Sequence, residues 1–241
     1  MSTILRKFLM GFGAMALMAP LAIPAQATPA RIILLRHGEK LDDYALCDMG
    51  RVRADALAQQ FLGRNAAQSL FGAKGKPDAL MAITVHTYET IAPLAKSWGM
   101  PVTDYAVALG PKGQKASNEA DETFETRLAA HDVMTDKRYD GKTVVMVWEH
   151  KRIASAKLEK ENPGEPATLR QLLHLDRLAD VPRSWPLQTY DYIWIVDYKP
   201  HNSVPVSFHM VRETFTGTFA NLPANDWDTP EPKHVAAGCL K

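Results

Sequence analysis

The chain has 241 residues, 28 Lys and Arg against 27 Asp and Glu, a formal net charge of +1, and 46% hydrophobic content. That length suits one α/β domain with a sizeable core, and the near-neutral balance leaves no basic excess for nucleic acid or an anionic membrane surface. Two cysteines are too few for a disulfide scaffold to organise the fold.

Arg6 and Lys7 precede a mostly apolar segment over 8–23, followed by Ala25-Gln26-Ala27. A cationic start, an apolar core and an Ala-x-Ala site read as a cleavable secretory leader over 1–27. Gly11, Gly13, Pro20 and Pro24 interrupt a segment already short for a span of about 20 residues. The expectation is export in soluble form, periplasmic or secreted, with no stable membrane anchor and with 28–241 as a single domain. Arg6 and Lys7 depart with the leader, taking the formal charge from +1 to −1.

The next segment, 31–40, is a short Ile- and Leu-rich run that ends in Arg36-His37-Gly38 and two further charges, Glu39 and Lys40. Such a run reads as a strand buried on both faces, as in parallel sheets. Ligands of open α/β sheets sit at the carboxyl ends of strands. Arg36 offers planar, bidentate phosphate binding, and the His37 imidazole can act as base or nucleophile.

Ala54, Leu57, Ala58, Phe61 and Leu62 follow the spacing of one helical face, which predicts a helix over 49–64. A loop over 72–77 leads to a strand over 79–85, with His86 at its end. Thr87 is placed to cap the next helix, which runs toward Trp98 with Pro93 as a potential kink. A short strand is predicted over 102–105, a polar loop over 111–118 and a charged helix over 119–131. After the Asp140-Gly141 turn, the run over 143–148 is the most β-prone in the chain and ends in Glu149-His150. A turn over 162–166, a strand over 190–196, an alternating edge strand over 204–215 and an irregular tail over 221–232 complete the reading. The alternation predicts a three-layer α/β sandwich with a mostly parallel central sheet and an antiparallel edge strand. Outside the cytosol Cys47 and Cys239 either pair, tying the C-terminus to the first loop, or stay apart; spacing leaves both states open.

The strand ending in Leu34-Leu35-Arg36-His37-Gly38 resembles the nucleophile motif of the histidine phosphatase superfamily, the phosphoglycerate-mutase-like enzymes. The stretch with Leu46, Gly50, Ala54, Leu57 and Ala58 is similar to that family's entry into its first helix. The resemblance extends over about 31–157. It implies that His37 is a nucleophile that carries the phosphoryl group, that Arg36 neutralises phosphoryl oxygens, and that protonated His150 donates to them from the opposite side. Ala92-Pro93-Leu94-Ala95 also resembles the family, which aligns His86 with the family's second arginine. His86 then serves as a cation only when protonated, or Arg53 or Arg152 reaches into the pocket instead. Glu119, ahead of Asp121 and Glu122, is the expected general acid. Glu149 orients His150 or raises its pKa, or else faces solvent.

No dinucleotide, P-loop, GxSxG or HExxH pattern is present, and the eight histidines show no metal-ligand spacing in the sequence. The resulting expectation is an exported, metal-independent phosphohydrolase without cofactor, acting on a small phosphomonoester. Its rival is a catalytically impaired phosphate-binding or interaction protein on the same fold, motivated by His86.

Overall fold

The structure is a computed structural model that describes residues 27–72, 75–105, 118–227 and 238–240. The expected leader lies outside the described residues except for Ala27, as do most of the loop expected over 111–118 and the last part of the tail. Six strands form one sheet in the order β3-β2-β4-β1-β5-β6: β1 Arg31–Arg36, β2 Ala79–Ala82, β3 Thr103–Asp104, β4 Thr143–Trp148, β5 Tyr192–Tyr198 and β6 Pro205–Arg212. β3, β2, β4 and β1 are mutually parallel; β5 pairs antiparallel with β1 and with β6. The expected antiparallel edge is therefore the end of an antiparallel pair, because β5, the strand placed next to β1, runs against all the others.

Apolar side chains on both faces of the central strands explain their continuous hydrophobicity. Ile32 and Leu34 of β1 join Val144, Met146 and Trp148 of β4 in one core; Ile33 and Leu35 join Val145 and Val147 in the other. The second core is covered by α1 (Asp48–Leu57), its π-helical extension over Ala58–Leu62, and α2 (Val85–Trp98). The first is covered by α3 (Glu119–Thr135), α4 (His150–Ile153) and α6 (Leu169–Leu172), with α5 (Ala156–Glu161) outside it. Three layers result.

Local chemistry explains where elements stop. β2 ends at Ala82, earlier than its apolar run suggests, because Thr84 starts a helix. The Thr84 side chain accepts from the Thr87 N–H, and the Thr84 N–H donates to Thr87 Oγ1 at 2.7 Å, a reciprocal capping box. Thr87 is thus the third helical residue and Thr84 the cap, which corrects the expected cap at Thr87. Consequently His86 occupies the first turn of α2 instead of a strand end. α2 continues through Pro93 and closes on Gly99 at φ 64°, the left-handed region glycine adopts without steric conflict. α3 begins as expected, with Asn118 accepting from the N–H groups of Ala120 and Asp121 at 3.0 Å.

Cys47 and Cys239 are disulfide-bonded, joining residues 192 apart. The Leu240 N–H donates to the Lys40 carbonyl at 2.7 Å, so the C-terminal segment is fastened to the loop that follows β1.

Candidate active site

β1 and β4 are neighbours in parallel register, with Arg36 aligned to Trp148. The next residues, His37 and Glu149, therefore leave the sheet side by side at its carboxyl edge. Gly38 allows this exit: a Cβ there would stand 2.8 Å from the Gly50 carbonyl oxygen, and one on Gly50 would overlap the Glu39 carbonyl. The two glycines let the first turn of α1 pack directly on the backbone after the Arg-His pair.

A cavity of about 280 Å³ opens at this edge, lined by Arg36, His37, Glu149 and His150 at its base and by Lys40, Glu119, Tyr190 and Leu240 among others around it. His37 is buried, and its Nδ1 lies 2.6 Å from the Gly38 carbonyl oxygen. A carbonyl only accepts, so Nδ1 carries the proton and Nε2 keeps its lone pair. Nε2 is 3.2 Å from Glu149 Oε2, off the line of a hydrogen bond and without another partner among the described residues. Burial holds the His37 pKa below the ordinary imidazole value, against the opposing pull of Glu149. The ring is neutral at physiological pH, as a nitrogen nucleophile requires.

Arg36 is held from several sides. Its Nη1 donates to the Leu187 carbonyl at 2.6 Å, its guanidinium stacks over the Tyr190 ring at 3.8 Å, and its Nε is buried without a partner among the described residues. Its Nη2 lies 3.3 Å from His150 Nδ1. Arginine only donates, so Nδ1 of His150 accepts and Nε2 bears the proton. Burial and the Arg36 charge press the His150 pKa far below its ordinary value. His150 is therefore a neutral donor through Nε2–H, which corrects the expectation that it acts protonated.

Glu149 is 7% exposed. Its Oε1 accepts from Thr84 Oγ1 at 2.8 Å, and Lys40 Nζ lies 3.2 Å from both of its oxygens. Despite burial, Lys40 and the Thr84 hydroxyl hold its carboxyl well below the usual carboxylate range. Of the readings open in the sequence, solvent exposure is excluded. The carboxylate faces the Nε2 side of His37.

Two expected phosphate cations are engaged by other protein groups. The His86 ring lies beside His37, with centroids 5.8 Å apart, but its Nε2–H donates to the Asp42 carbonyl at 2.7 Å. Burial, Lys40 and His37 push its pKa down to about 4, so it is neutral across the physiological range. Arg53 is buried away from the cavity. Its guanidinium binds both oxygens of Glu39, approaches Glu213 Oε2 at 3.2 Å and donates to the Pro223 carbonyl at 2.8 Å. It fastens the loop after β1 to the segment after β6. Arg152, the other alternative, donates from Nη2 to the Glu119 carbonyl at 2.6 Å and pins the start of α3. Glu119 does line the cavity, at its mouth, with a side chain 80% exposed and 3.9 Å from Lys151 Nζ.

His37, Glu149 and His150 also bring ligand atoms within 4.8 Å of one another, the compactness of a metal set. Sequence spacing could not show this, because it arises from the alignment of two strands. Two of the three residues already face protein cations, Arg36 on His150 and Lys40 on Glu149. Fixed positive charges at that range oppose a metal cation and favour an anion. The sequence did not assign Lys40, Thr84 or Tyr190 to the site, and it offered Glu149 only as a neighbour of His150; its place against His37 depends on the alignment of the two strands.

No family model and no curated protein sequence matches the chain. Among solved structures, one titled Mycobacterial hydrolase 1 is 17% identical, with a TM-score of 0.39, over 78% of this chain and 99% of that one. So distant a superposition carries no argument about activity.

Proposed function

We propose that the chain is an exported phosphohydrolase of the histidine phosphatase type that cleaves a small phosphomonoester through a phosphohistidine on His37, without a metal or cofactor. The observation that carries this reading is the neutral His37 ring fixed by Gly38, its Nε2 lone pair on the same cavity as the buried Arg36 guanidinium. Holding the acceptor nitrogen and the phosphate-binding charge on adjacent rigid positions supplies the orientation and electrostatic stabilisation that phosphoryl transfer needs. Arg36 Nε, unpartnered among the described residues, and the Nε2–H of His150 are the donors to the phosphoryl oxygens. The Cys47–Cys239 disulfide supports export to an oxidising compartment.

His86 favours the second reading. Without charge it supplies no second pocket cation, which suits a protein that binds phosphate and turns it over poorly. Turnover of a chromogenic phosphomonoester by wild type and His37→Ala, with trapping of radiolabelled phosphate, separates the two. The enzyme reading requires label and turnover that vanish in the variant. Phosphate binding with neither supports the impaired protein, and equal turnover in both proteins removes His37 as nucleophile.

A further inference from the structure

We infer that Glu149, rather than Glu119, carries the proton of the reaction, giving it to the leaving oxygen in the first half and taking it from water in the second; this rests on the phosphohistidine reading above. Among the described residues, Glu149 is the carboxylate placed against His37 Nε2, the atom that would bond phosphorus. A phosphoryl group on Nε2 therefore sits next to Oε2. Oε1 is occupied by Thr84, and Lys40 braces the whole group, so Oε2 is the oxygen left to exchange a proton. Glu119, at the solvent-exposed mouth, has no such contact and no buried brace.

The charge state fits this role once substrate is present. Alone, Glu149 is ionised, stabilised by Lys40 and by the hydrogen bond from Thr84. A phosphoryl dianion arriving beside it is a like charge, which raises its proton affinity. The phosphomonoester monoanion brings one proton, and that proton moves to Oε2. The Nε2 lone pair then forms the N–P bond as the P–O bond to the leaving group breaks. The leaving oxygen takes the proton from Glu149 and departs as the alcohol. In the second half, water forms a new O–P bond, the N–P bond breaks, and the water proton returns to Glu149. Phosphate leaves with that proton as a monoanion. Ester and water are consumed, alcohol and phosphate are produced, and His37 and Glu149 return to their starting states.

The experiment compares wild type, Glu149→Gln and Glu119→Gln on aryl phosphates with leaving groups of graded acidity and on an alkyl phosphate, with circular dichroism to check folding. A proton carrier contributes about 10²–10⁴-fold. Glu149→Gln should lose at least about 100-fold in kcat on the alkyl phosphate and progressively less in the phosphorylation step as the leaving group becomes more acidic. Labelled phosphohistidine should accumulate in that variant on a p-nitrophenyl ester, because the second half lacks its base. Lys40→Met keeps the carboxylate but removes its brace. Glu149 is then faced by His37 and Thr84, with Arg36, His86, His150 and Tyr190 around His37, and the pH limb that depends on its ionisation should move upward. A uniform loss across leaving groups without accumulated label, or leaving-group dependence that appears in Glu119→Gln instead, overturns the assignment while the phosphatase reading stands. Wild type that neither turns over nor labels with any ester overturns both.

Discussion

Glu213 offers a test of the buried charge network that displaced Arg53 from the site. One guanidinium stands between two carboxylates: Glu39 receives bonds from both Nε and Nη2 of Arg53, whereas Glu213 receives a single 3.2 Å contact and lies near Asp191. The attraction of Arg53 therefore keeps Glu39 ionised, and burial pushes the Glu213 pKa from 4.5 up to about 8. The folded protein holds a proton on Glu213 that the unfolded chain releases between pH 4.5 and about 8. Stability from this group is full below pH 4.5 and is lost as pH rises through that window. At about 1.4 kcal/mol per pH unit the whole effect approaches 5 kcal/mol, of which about 2 kcal/mol falls between pH 6.5 and 8. His86, pushed down to about 4, has the opposite sign, but its influence ends near the ordinary imidazole value of 6.5. Glu213→Gln mimics the protonated side chain and keeps its shape. Urea unfolding at pH 4.5, 6.5 and 8 should show little difference between the two proteins at the lowest pH, the variant ahead by about 3 kcal/mol at pH 6.5, and a further gain of about 2 kcal/mol by pH 8. Parallel stability curves for the two proteins would mean that Glu213 is ionised in the fold and that the reasoning about a shared guanidinium fails.

Gly50→Ala places a methyl group on the Glu39 backbone; it should destabilise by about 1–3 kcal/mol and lower activity by displacing the loop after His37, and a wild-type melting temperature would contradict this. Opening the Cys47–Cys239 bond by double substitution to Ser frees a loop of 192 residues, for which chain entropy gives a loss of at most about 5 kcal/mol, read as a lower denaturant midpoint. An unchanged midpoint would show that the bond constrains nothing the fold does not. Exhaustive chelation should leave the rate unaltered, since Arg36 and Lys40 already supply positive charge around His37, Glu149 and His150; activity lost on chelation and restored by a divalent ion would show that the three donors hold a metal.

Legibility from sequence followed the range of the forces involved. β1, β4, α1 and the start of α3 were readable because an apolar run or a 3.6-residue stripe is a local pattern. The end of β2 was misjudged because a two-threonine capping box outweighed the apolar run before it. Arg36, His37 and His150 were named from a motif, and the structure brings them together at one cavity. The fate of His86 and Arg53 was not readable, since it depends on a carbonyl from the Asp42 loop and on carboxylates up to 160 positions away. Glu149 could be noticed in the sequence, but its role depended on which residue of β4 stands opposite Arg36.

That alignment has a consequence for how the chain folds. β1 is apolar toward both cores, so greasiness alone does not say which of its residues should face which neighbour. In such strands a slip of one position is weakly penalised by burial. The polar fixtures at the strand ends act as stops: Arg31 on Asp197 of β5 at 2.6 Å, the Thr143 N–H on Asp78 at 2.9 Å, and the Trp148 indole on Thr126 at 2.9 Å. A molecule seated one notch off would set Trp148 against His37 and turn Glu149 to the opposite side, keeping an oily interior while losing its chemistry. Specific activity in a preparation of this protein therefore doubles as a census of correctly threaded molecules, and loosening the Arg31 or Thr143 stops should lower that census before it lowers the melting temperature.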